Sequence, residues 1–197
     1  LLVTVLIIIL VVAGFLSVRH FYFQPREVKA QAAMYKGEIY FAKDSFELAL
    51  KGNGADFVGF EAIADDYSST KAGNLAAAYA GICYYNLGKD AEALAYLKKF
   101  DGDDAFLSPN IEAMIGNCYA NMDQYDDAIK AFEKAAKKAD NEMASPIFLQ
   151  KAATVAEKMG NYKKALDFYQ KIKDEYSQSM IGRDIDKYIE RAKAHVK

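Results

Sequence analysis

The chain has 197 residues, and its 25 basic and 27 acidic side chains give a formal net charge of −2. That balance leaves no basic footprint for nucleic acid, so nucleic-acid binding is excluded as a primary function. The charged fraction of 26% is ordinary for a globular protein, and the residues that follow Val18 are numerous enough for one domain with its own core.

An uncharged apolar run opens the chain, from Leu1 to Val18. As a helix rising about 1.5 Å per residue, it would reach about 27 Å, close to the hydrocarbon thickness of a bilayer. Residues of the kind that meets lipid headgroups follow it: Arg19, Phe21, Tyr22 and Phe23. The run predicts a single transmembrane helix, with residues 1–23 as a membrane anchor.

A cleavable secretory signal is the alternative for this run, because residues 13–17 include small side chains suited to cleavage. The run is long for that role, and the chain retains it. Charge alone leaves the orientation open. Arg19, Arg26 and Lys29 favour a cytosolic domain, but the flank preceding the leucine at position 1 is expected to be missing, so the two sides cannot be compared.

Residues 24–72 are predicted to form a linker helix and a degenerate leading helical hairpin. Pro25 stands just inside a helical pattern over residues 26–43. Proline is tolerated in a first helical turn, so the anchor is expected to bend there before it enters the rest of the chain.

A break in the helical pattern follows over residues 44–54. Phe46, Leu48 and Leu50 alternate in this stretch, which ends in a glycine-rich turn. The alternation predicts an irregular or briefly extended connector. Apolar residues at helical spacing then predict a second helix over residues 57–67.

A four-residue signature recurs later in the chain, with steps of 35 and 37 residues between copies. The copies are Gly81-Ile82-Cys83-Tyr84, Gly116-Asn117-Cys118-Tyr119 and Ala153-Thr154-Val155-Ala156. A period in this range, with small residues where helices touch, is typical of stacked helical hairpins. Helices are expected at residues 73–87, 90–100, 109–122, 125–138, 146–159 and 162–175, followed by a last helix at 179–195.

Two dipeptides give matching start signals for these helices, Ser108-Pro109 and Ser145-Pro146. In each, the serine is expected to cap the first-turn amides, and the proline loses no hydrogen bond at the next position.

Glycines mark the turns inside the hairpins. Gly88 and Gly160 are expected to adopt the positive φ of a tight interhelix turn. Cys83 and Cys118 take equivalent positions in successive repeats, where helix axes lie about 8 to 10 Å apart, so they are interpreted as buried thiols in preference to a disulfide.

The repeat resembles the tetratricopeptide pattern over residues 73–177. The positions that the pattern fixes are filled by Gly81, Tyr84, Ala93 and Leu97 in the first copy, by Gly116, Tyr119, Ala128, Phe132 and Ala135 in the second, and by Ala153, Ala156, Ala165, Tyr169 and Ile172 in the third. Ala156 is a departure, because an aromatic residue is usual there. The resemblance implies an all-α fold: a right-handed tetratricopeptide-repeat α-solenoid of three repeats, behind one transmembrane helix, with residues 178–197 as a C-terminal capping helix.

An anchor, a long helix, a degenerate hairpin and three such repeats together resemble the YfgM-like accessory proteins of the bacterial SecYEG translocon. The resemblance implies a single-pass protein of the bacterial inner membrane whose repeat domain lies in the periplasm. It also implies protein partners, namely the translocon, a membrane-anchored periplasmic chaperone or exported polypeptides. A structural adaptor in another envelope assembly or secretion machine is the alternative, and a cytosolic regulatory scaffold would require the opposite topology.

A concave face formed mainly by the first helix of each repeat is the expected partner-binding groove. Its expected residues, taken from their pattern positions, are Leu75, Ala78, Tyr79, Ile82, Tyr85, Asn86, Asn110, Ala113, Asn117, Asn121, Ile147, Gln150, Lys151 and Thr154. The carboxylate clamp of cytosolic chaperone adaptors is rejected, because Ala78 and Ile82 occupy two of the positions that it needs.

The sequence contains no recognisable catalytic or metal-binding pattern. His20 and His195 are far apart in the sequence, and neither accompanies a metal-ligand spacing. The chain is therefore predicted not to be an enzyme, and no cofactor, metal or small-molecule substrate is expected.

Overall fold

The computed structural model of the chain describes residues 2–196, which are helical throughout their regular elements, without a β-strand. The all-α prediction is confirmed. The chain divides into two compact units, Leu1–Leu87 and Gly88–Lys197. The outer ends of the predicted anchor and cap, Leu1 and Lys197, lie outside the described residues.

The first unit opens with a long apolar helix. Helix α1 (Leu2–Val18) continues through a π-helical turn (Arg19–Phe23) into helix α2 (Gln24–Phe41). The stretch Val3–Phe41 contains one window long and apolar enough to cross a membrane by length and composition, and none of that window is buried.

The π-helical turn has a local cause in Pro25, where a bend was expected. Proline has no N–H to donate, so the regular bond to the carbonyl four residues earlier is lost there. The backbone N–H of Gln24 bonds the carbonyl of Arg19, five residues earlier. The chain thus passes Pro25 by a local change of helix type, and α2 continues to Phe41.

The connector after α2 contains a helix, so the prediction of an irregular or extended segment was wrong. Helix α3 (Phe46–Lys51) buries Ala49 and Leu50 and leaves Leu48 exposed. The alternation of Phe46, Leu48 and Leu50 suggested an extended segment. The residues that enter the core instead lie three and four positions after Phe46, which is the spacing of one helix face. The helix ends at Gly52, whose φ is 84°.

Helix α4 (Phe60–Asp66) begins three residues later than predicted. The preceding residues form a turn in which the Asn53 side-chain oxygen accepts the backbone N–H groups of Ala55, Asp56 and Phe57, each at 3.1 Å. Such an Asx turn competes with a helix for the backbone donors, so the helix starts only after it.

Helix α5 (Lys71–Asn86) has a cap that the sequence analysis missed. Thr70 Oγ1 accepts the N–H of Gly73 at 2.9 Å and donates to the carbonyl of Tyr67 at 2.7 Å. Glu27 on α2 also accepts the N–H of Lys71, at 2.7 Å. The start of α5 is therefore fixed both locally and by the long helix.

The second unit contains seven helices among its described residues. They are α6 (Asp90–Leu97), α7 (Leu107–Asn121), α8 (Tyr125–Ala139), α9 (Ser145–Lys158), α10 (Tyr162–Glu175), α11 (Met180–Arg183) and α12 (Asp186–His195). From α6 to α10 each helix packs against the next, and α11 and α12 pack against α10. This sequential packing is the arrangement expected of a solenoid.

The predicted capping helix is divided in two. Ser179 caps α11 by accepting the N–H of Gly182, and the N–H of Ile185 then bonds the carbonyl of Gly182. This tight turn places the Ile185 side chain in the core, only 1% exposed, and α12 follows it with Ile189 and Ala192 buried.

The serines of the two start signals do not act as caps, which corrects the prediction. Ser145 lies in the first turn of α9, and its Oγ donates to the carbonyl of Ala136 on α8 at 2.9 Å. Ser108 lies in the first turn of α7, where Asp104 accepts both its N–H and its hydroxyl. The prolines stand in the first turns, as expected.

The turns within the hairpins share one backbone conformation. Gly88, Asp123 and Gly160 have φ values of 71°, 58° and 75°, so the two glycine predictions are confirmed. Cys83 and Cys118 are free thiols with no exposed surface, in agreement with their interpretation as buried residues.

Candidate partner-binding groove

A groove of about 310 Å³ lies between α7 and α9, the first helices of successive hairpins in the second unit. Its lining residues are Asn117, Ala120, Phe132, Ile147, Gln150, Lys151, Thr154 and Val155. Because α7 and α9 both pack against α8, a side chain of α8, that of Phe132, can reach the groove between them. We call this feature the α7–α9 groove.

A glycine on α7 brings Phe132 to this position. A Cβ atom added at Gly116 would lie 2.8 Å from the Phe132 ring, closer than carbon atoms normally approach. The absence of a side chain there lets α7 and α8 come together, with Phe132 only 2% exposed. The same glycine belongs to the recurring signature, so the repeat pattern and the shape of the groove have one cause.

The ammonium group of Lys151 lies at the wall of the groove. Its Nζ donates to Oδ1 of Asn117 at 3.1 Å and lies 5.6 Å from the centroid of the Phe132 ring. Burial lowers the pKa of Lys151 below its ordinary value, because the charged form loses part of its hydration. Asn117 and Phe132 are both neutral, so the charge of the Lys151 ammonium remains available to an anion.

The groove combines an apolar floor with polar walls. Ile147 and Val155 contribute aliphatic surface, and Phe132 an aromatic ring. Asn117 and Gln150 carry amides that both donate and accept hydrogen bonds, and Lys151 adds a cation. An arrangement of this kind can hold an apolar side chain while it bonds the backbone or an acidic group of the same peptide.

Five of the predicted groove residues meet in the α7–α9 groove: Asn117, Ile147, Gln150, Lys151 and Thr154. Thr154 donates its hydroxyl to the carbonyl of Gln150 within α9, which leaves its methyl group for contact. These residues take four positions of the repeat, on the first helices of two successive hairpins. Their common position on the helix surface is what the pattern predicted.

The other predicted residues of the second unit lie elsewhere. Asn121 donates to Asp90 on α6 at 3.0 Å, and Asn110 donates to the carbonyl of Phe106 at the start of α7. Ala113 is buried, 5% exposed, which corrects its assignment to an open surface. Its methyl group belongs to the hydrophobic core of the unit.

One predicted residue of α5, Ala78, belongs to the core of the first unit, which is a second correction, and another, Tyr79, is half-buried. Ala78 is 1% exposed. Tyr79 packs between Phe41 and Phe60, with ring centroids 4.9 and 4.7 Å away. Ala78 and Tyr79 take the pattern positions of the groove residues Gln150 and Lys151 in the third repeat, but the leading helices α2 and α4 supply aromatic partners to Tyr79.

The remaining residues predicted on α5 keep some exposure. Leu75, Ile82 and Tyr85 are half-buried, and Asn86 is exposed. Leu75 lines a shallow depression beside α2, while Asn86 donates to the carbonyl of Ile82.

Three lining residues escaped the sequence analysis: Ala120, Phe132 and Val155. Phe132 was recognised only as a packing position of the second helix of its hairpin. The pairing of a small residue with a large aromatic sixteen positions later, Gly116 with Phe132, was the available signal.

The predicted membrane-interface residues occupy the π-helical turn. Phe21, Tyr22 and Phe23 are 77%, 54% and 40% exposed, and Arg19 is exposed as well. Arg26, one turn on, lies 5.5 Å from the Tyr22 ring and 5.4 Å from the Tyr67 ring, and it also bonds the carbonyl of Asp66. The aromatic turn is thereby connected to the end of α4.

A larger depression of about 460 Å³ lies between α8 and α10 and differs in chemistry. Charged groups of both signs surround it, including Glu133, Lys137, Lys171 and Glu175. Such mixed charge suits a solvated surface. Among residues 2–196, no three His, Cys, Asp or Glu side chains lie close enough together to hold a metal ion.

Comparison with known families agrees with the geometry. Models of the tetratricopeptide repeat match residues 79–101, 113–142 and 149–179. The chain is an all-α solenoid protein that contains tetratricopeptide repeats, and such repeats indicate a protein–protein interaction module. A comparison with curated proteins finds no match.

Proposed function

We propose that the chain is a membrane-tethered interaction module that binds protein partners through the α7–α9 groove. Its place is the bacterial inner membrane, with the repeats in the periplasm, where it acts as an accessory of the Sec translocon that assists the chaperoning of exported proteins. The observation that carries the binding role is the groove itself, where an apolar floor lies beside Asn117, Gln150 and Lys151.

The groove suits a short peptide segment with one apolar side chain. An aliphatic or aromatic side chain would cover Ile147, which is 43% exposed, and this would stabilise the complex by removing apolar surface from water. The amides of Asn117 and Gln150 would bond the peptide backbone. A carboxylate beside the apolar side chain would pair with Lys151, whose charge is only partly hydrated.

A groove of this size supports only weak binding, and the N-terminal helix supplies the rest. Confinement to a membrane can raise the effective concentration of a partner to about millimolar. Helix α1 and its exposed aromatic turn have the length and composition of a single span, and its most apolar window is not buried by any of residues 2–196. Emerging polypeptides and translocon-bound chaperones share that membrane surface.

The groove is tested by replacing one apolar lining residue with a charged one. In Ile147→Glu, a carboxylate would stand on the apolar floor, and we expect recovery of partners with the full chain from solubilised membranes to fall at least fivefold. Met159→Glu is the matched control, because Ile147 and Met159 are 43% and 39% exposed and belong to the same helix and its C-cap. Equal recovery with both variants would contradict the groove as the binding surface.

The translocon role is tested from the anchor. Photocrosslinkers at Leu10 and Phe15, both 66% exposed, should capture translocon subunits in living cells. Exchange of α1 for an unrelated transmembrane helix should then abolish both the capture of translocon subunits and the assistance to exported proteins. Survival of the function after that exchange would favour a structural adaptor of another envelope assembly, and capture of cytosolic proteins by the repeats would contradict the periplasmic topology.

A further inference from the structure

Helix α2 is apolar on two opposite faces. One face packs into the first unit through Ala30, Met34 and Gly37. The other face is open: Val28, Tyr35 and Ile39 are 64%, 66% and 39% exposed, and Ala32 is exposed between them. A surface helix normally has polar residues on its outer face, so this second apolar stripe indicates an interface.

The stripe has the spacing of a coiled-coil seam. Val28, Ala32, Tyr35 and Ile39 are separated by four, three and four residues, which is the d-a-d-a order of a heptad. The buried residues Ala30, Met34 and Gly37 take the c and f positions on the opposite side of the helix. Helix α2 can therefore pack into its own unit and against a partner helix at the same time. We call these four residues the α2 stripe.

Charged residues beside the stripe favour one orientation of the partner. The e positions carry Lys29, Lys36 and Lys43, and the g position before Lys43 carries Glu38. In a parallel pair of identical helices, g faces the following e of the other chain, so Glu38 would face Lys43 twice. In an antiparallel pair, e faces e, and the lysines would repel each other.

The surroundings of these groups agree with that pairing. Lys36 forms an ion pair with Asp56 of its own chain, so the attraction between helices falls to Glu38 and Lys43. Lys36, Ile39 and Lys43 line one depression, which places Lys43 at the edge of the stripe although it follows the helix end. Glu38 and Lys43 are both exposed.

We propose that the α2 stripe is the interface of a parallel homodimer, with a second copy of this chain as its occupant. The heptad spacing and the complementary g and e charges carry the proposal. Helix α1 adds to it, because two copies inserted in one membrane by their N-terminal helices are parallel and in register, and the tether raises the local concentration that a short seam needs. The α2 stripe shares no residue with the α7–α9 groove.

Disulfide trapping tests the interface in the full chain in membranes. Tyr35→Cys and Val28→Cys place thiols at d positions, which face each other in a parallel dimer, and oxidation should give a disulfide-linked dimer. Val58→Cys is the control, since Val58 is 58% exposed in the loop before α4 and does not belong to the α2 stripe. The native Cys83 and Cys118 are buried and do not compete.

A charge exchange gives a second test that does not depend on oxidation. Glu38→Lys should weaken dimerisation in detergent about tenfold, because two symmetry-related pairs change from attraction to repulsion, and Glu38→Lys with Lys43→Glu should restore it. A monomer at all concentrations, or trapping no greater than with Val58→Cys, would overturn the proposal. So would trapping of Tyr35→Cys to a different protein only.

Discussion

The Nζ atom of Lys151 on α9 donates a hydrogen bond of 3.1 Å to Oδ1 of Asn117 on α7, so one bond joins corresponding helices of two successive repeats. The bond holds the ammonium against the Phe132 ring at the floor of the groove. A cation bonded to a neutral amide still attracts a carboxylate, so we expect the groove to prefer acidic peptides.

Replacing Lys151 should separate stability from binding. Burial lowers the pKa of Lys151. At pH values between the folded pKa and the ordinary pKa, the unfolded chain binds more protons than the folded chain, so stability rises with pH in that window. At neutral pH the folded state carries the cost of the partly desolvated charge. Lys151→Met should therefore raise the free energy of unfolding slightly, by about 0.5 kcal/mol, while it weakens binding of acidic peptides.

Urea unfolding of the full chain in detergent, at pH 7 and pH 10, measures this effect. The stability difference between Lys151→Met and the wild type should shrink at the higher pH. Lys163→Met, an exposed lysine of α10, is the control. A loss of stability in Lys151→Met with unchanged peptide binding would show that the lysine serves packing alone.

The starts of α5 and α11 should be unusually intolerant of a methyl group. A Cβ atom at Gly73 would lie 1.9 Å from the carbonyl oxygen of Tyr67, and one at Gly182 would lie 2.0 Å from that of Tyr176. Backbone atoms cannot move aside as a flexible side chain can. Gly73→Ala and Gly182→Ala should each cost at least about 2 kcal/mol of stability, measured by chemical denaturation.

Gly160→Ala is the comparison for these two variants. Gly160 has a φ of 75° and no atom within 4 Å of an added Cβ, so only backbone strain of about 1 kcal/mol is expected. If Gly73→Ala and Gly182→Ala cost no more stability than Gly160→Ala, the close approach of backbone oxygens to these two glycines would be contradicted.

The repeats were predictable because small residues recur where their helices touch. Gly116 and Ala153 occupy equivalent positions in successive repeats. The helices of the hairpins around them begin and end within a few residues of their predicted bounds. The leading segment was harder, because no repeat fixes its register. The alternation of Phe46, Leu48 and Leu50 resembled a strand, and only tertiary packing shows α3 to be a helix.

Helix caps and the exact groove lining depend on three-dimensional proximity. Thr70 with Gly73, and Ser179 with Gly182, share a spacing that the sequence displays, and this pairing could have located both caps. Tyr79 could not have been assigned in the same way. Its aromatic neighbours, Phe41 and Phe60, come from helices outside the repeat pattern.

The two cysteines should make the fold sensitive to alkali. Burial raises the pKa of Cys83 to about 12 and, with a smaller effect of Asp90, that of Cys118 to about 12. Both lie above the value of an unfolded thiol, so the folded state binds more protons as pH rises past about 9, and stability falls. The slope approaches about 1.4 kcal/mol per pH unit for each thiol once the unfolded thiol is fully ionised.

The double variant Cys83→Ala and Cys118→Ala isolates this contribution. Its denaturation midpoint should change less with pH over the same window than that of the wild type. Thiol reagents at pH 8 should also leave the folded wild type unmodified and label both cysteines after unfolding. Rapid labelling of the folded chain would contradict their burial.

Glu27 should hold the long helix to the start of α5. Its carboxylate accepts the N–H of Lys71 at 2.7 Å and contacts that of Ala72 at 3.3 Å. Glu27→Ala should cost about 1 kcal/mol and speed hydrogen exchange of the Lys71 amide, as loss of a helix cap does. Glu47→Ala, on exposed α3 surface, should leave that exchange rate unchanged.

Photocrosslinking of the full chain in living cells from the α7–α9 groove would show directly whether partners bind there. Probes at Asn117, Ile147 and Gln150 line the groove, and probes at Lys163, Asp167 and Lys171 lie on exposed α10 surface as controls. We predict that one set of partner proteins is captured from the three groove positions and not from α10. Equal capture from both surfaces, or capture from α10 alone, would contradict recognition through the groove.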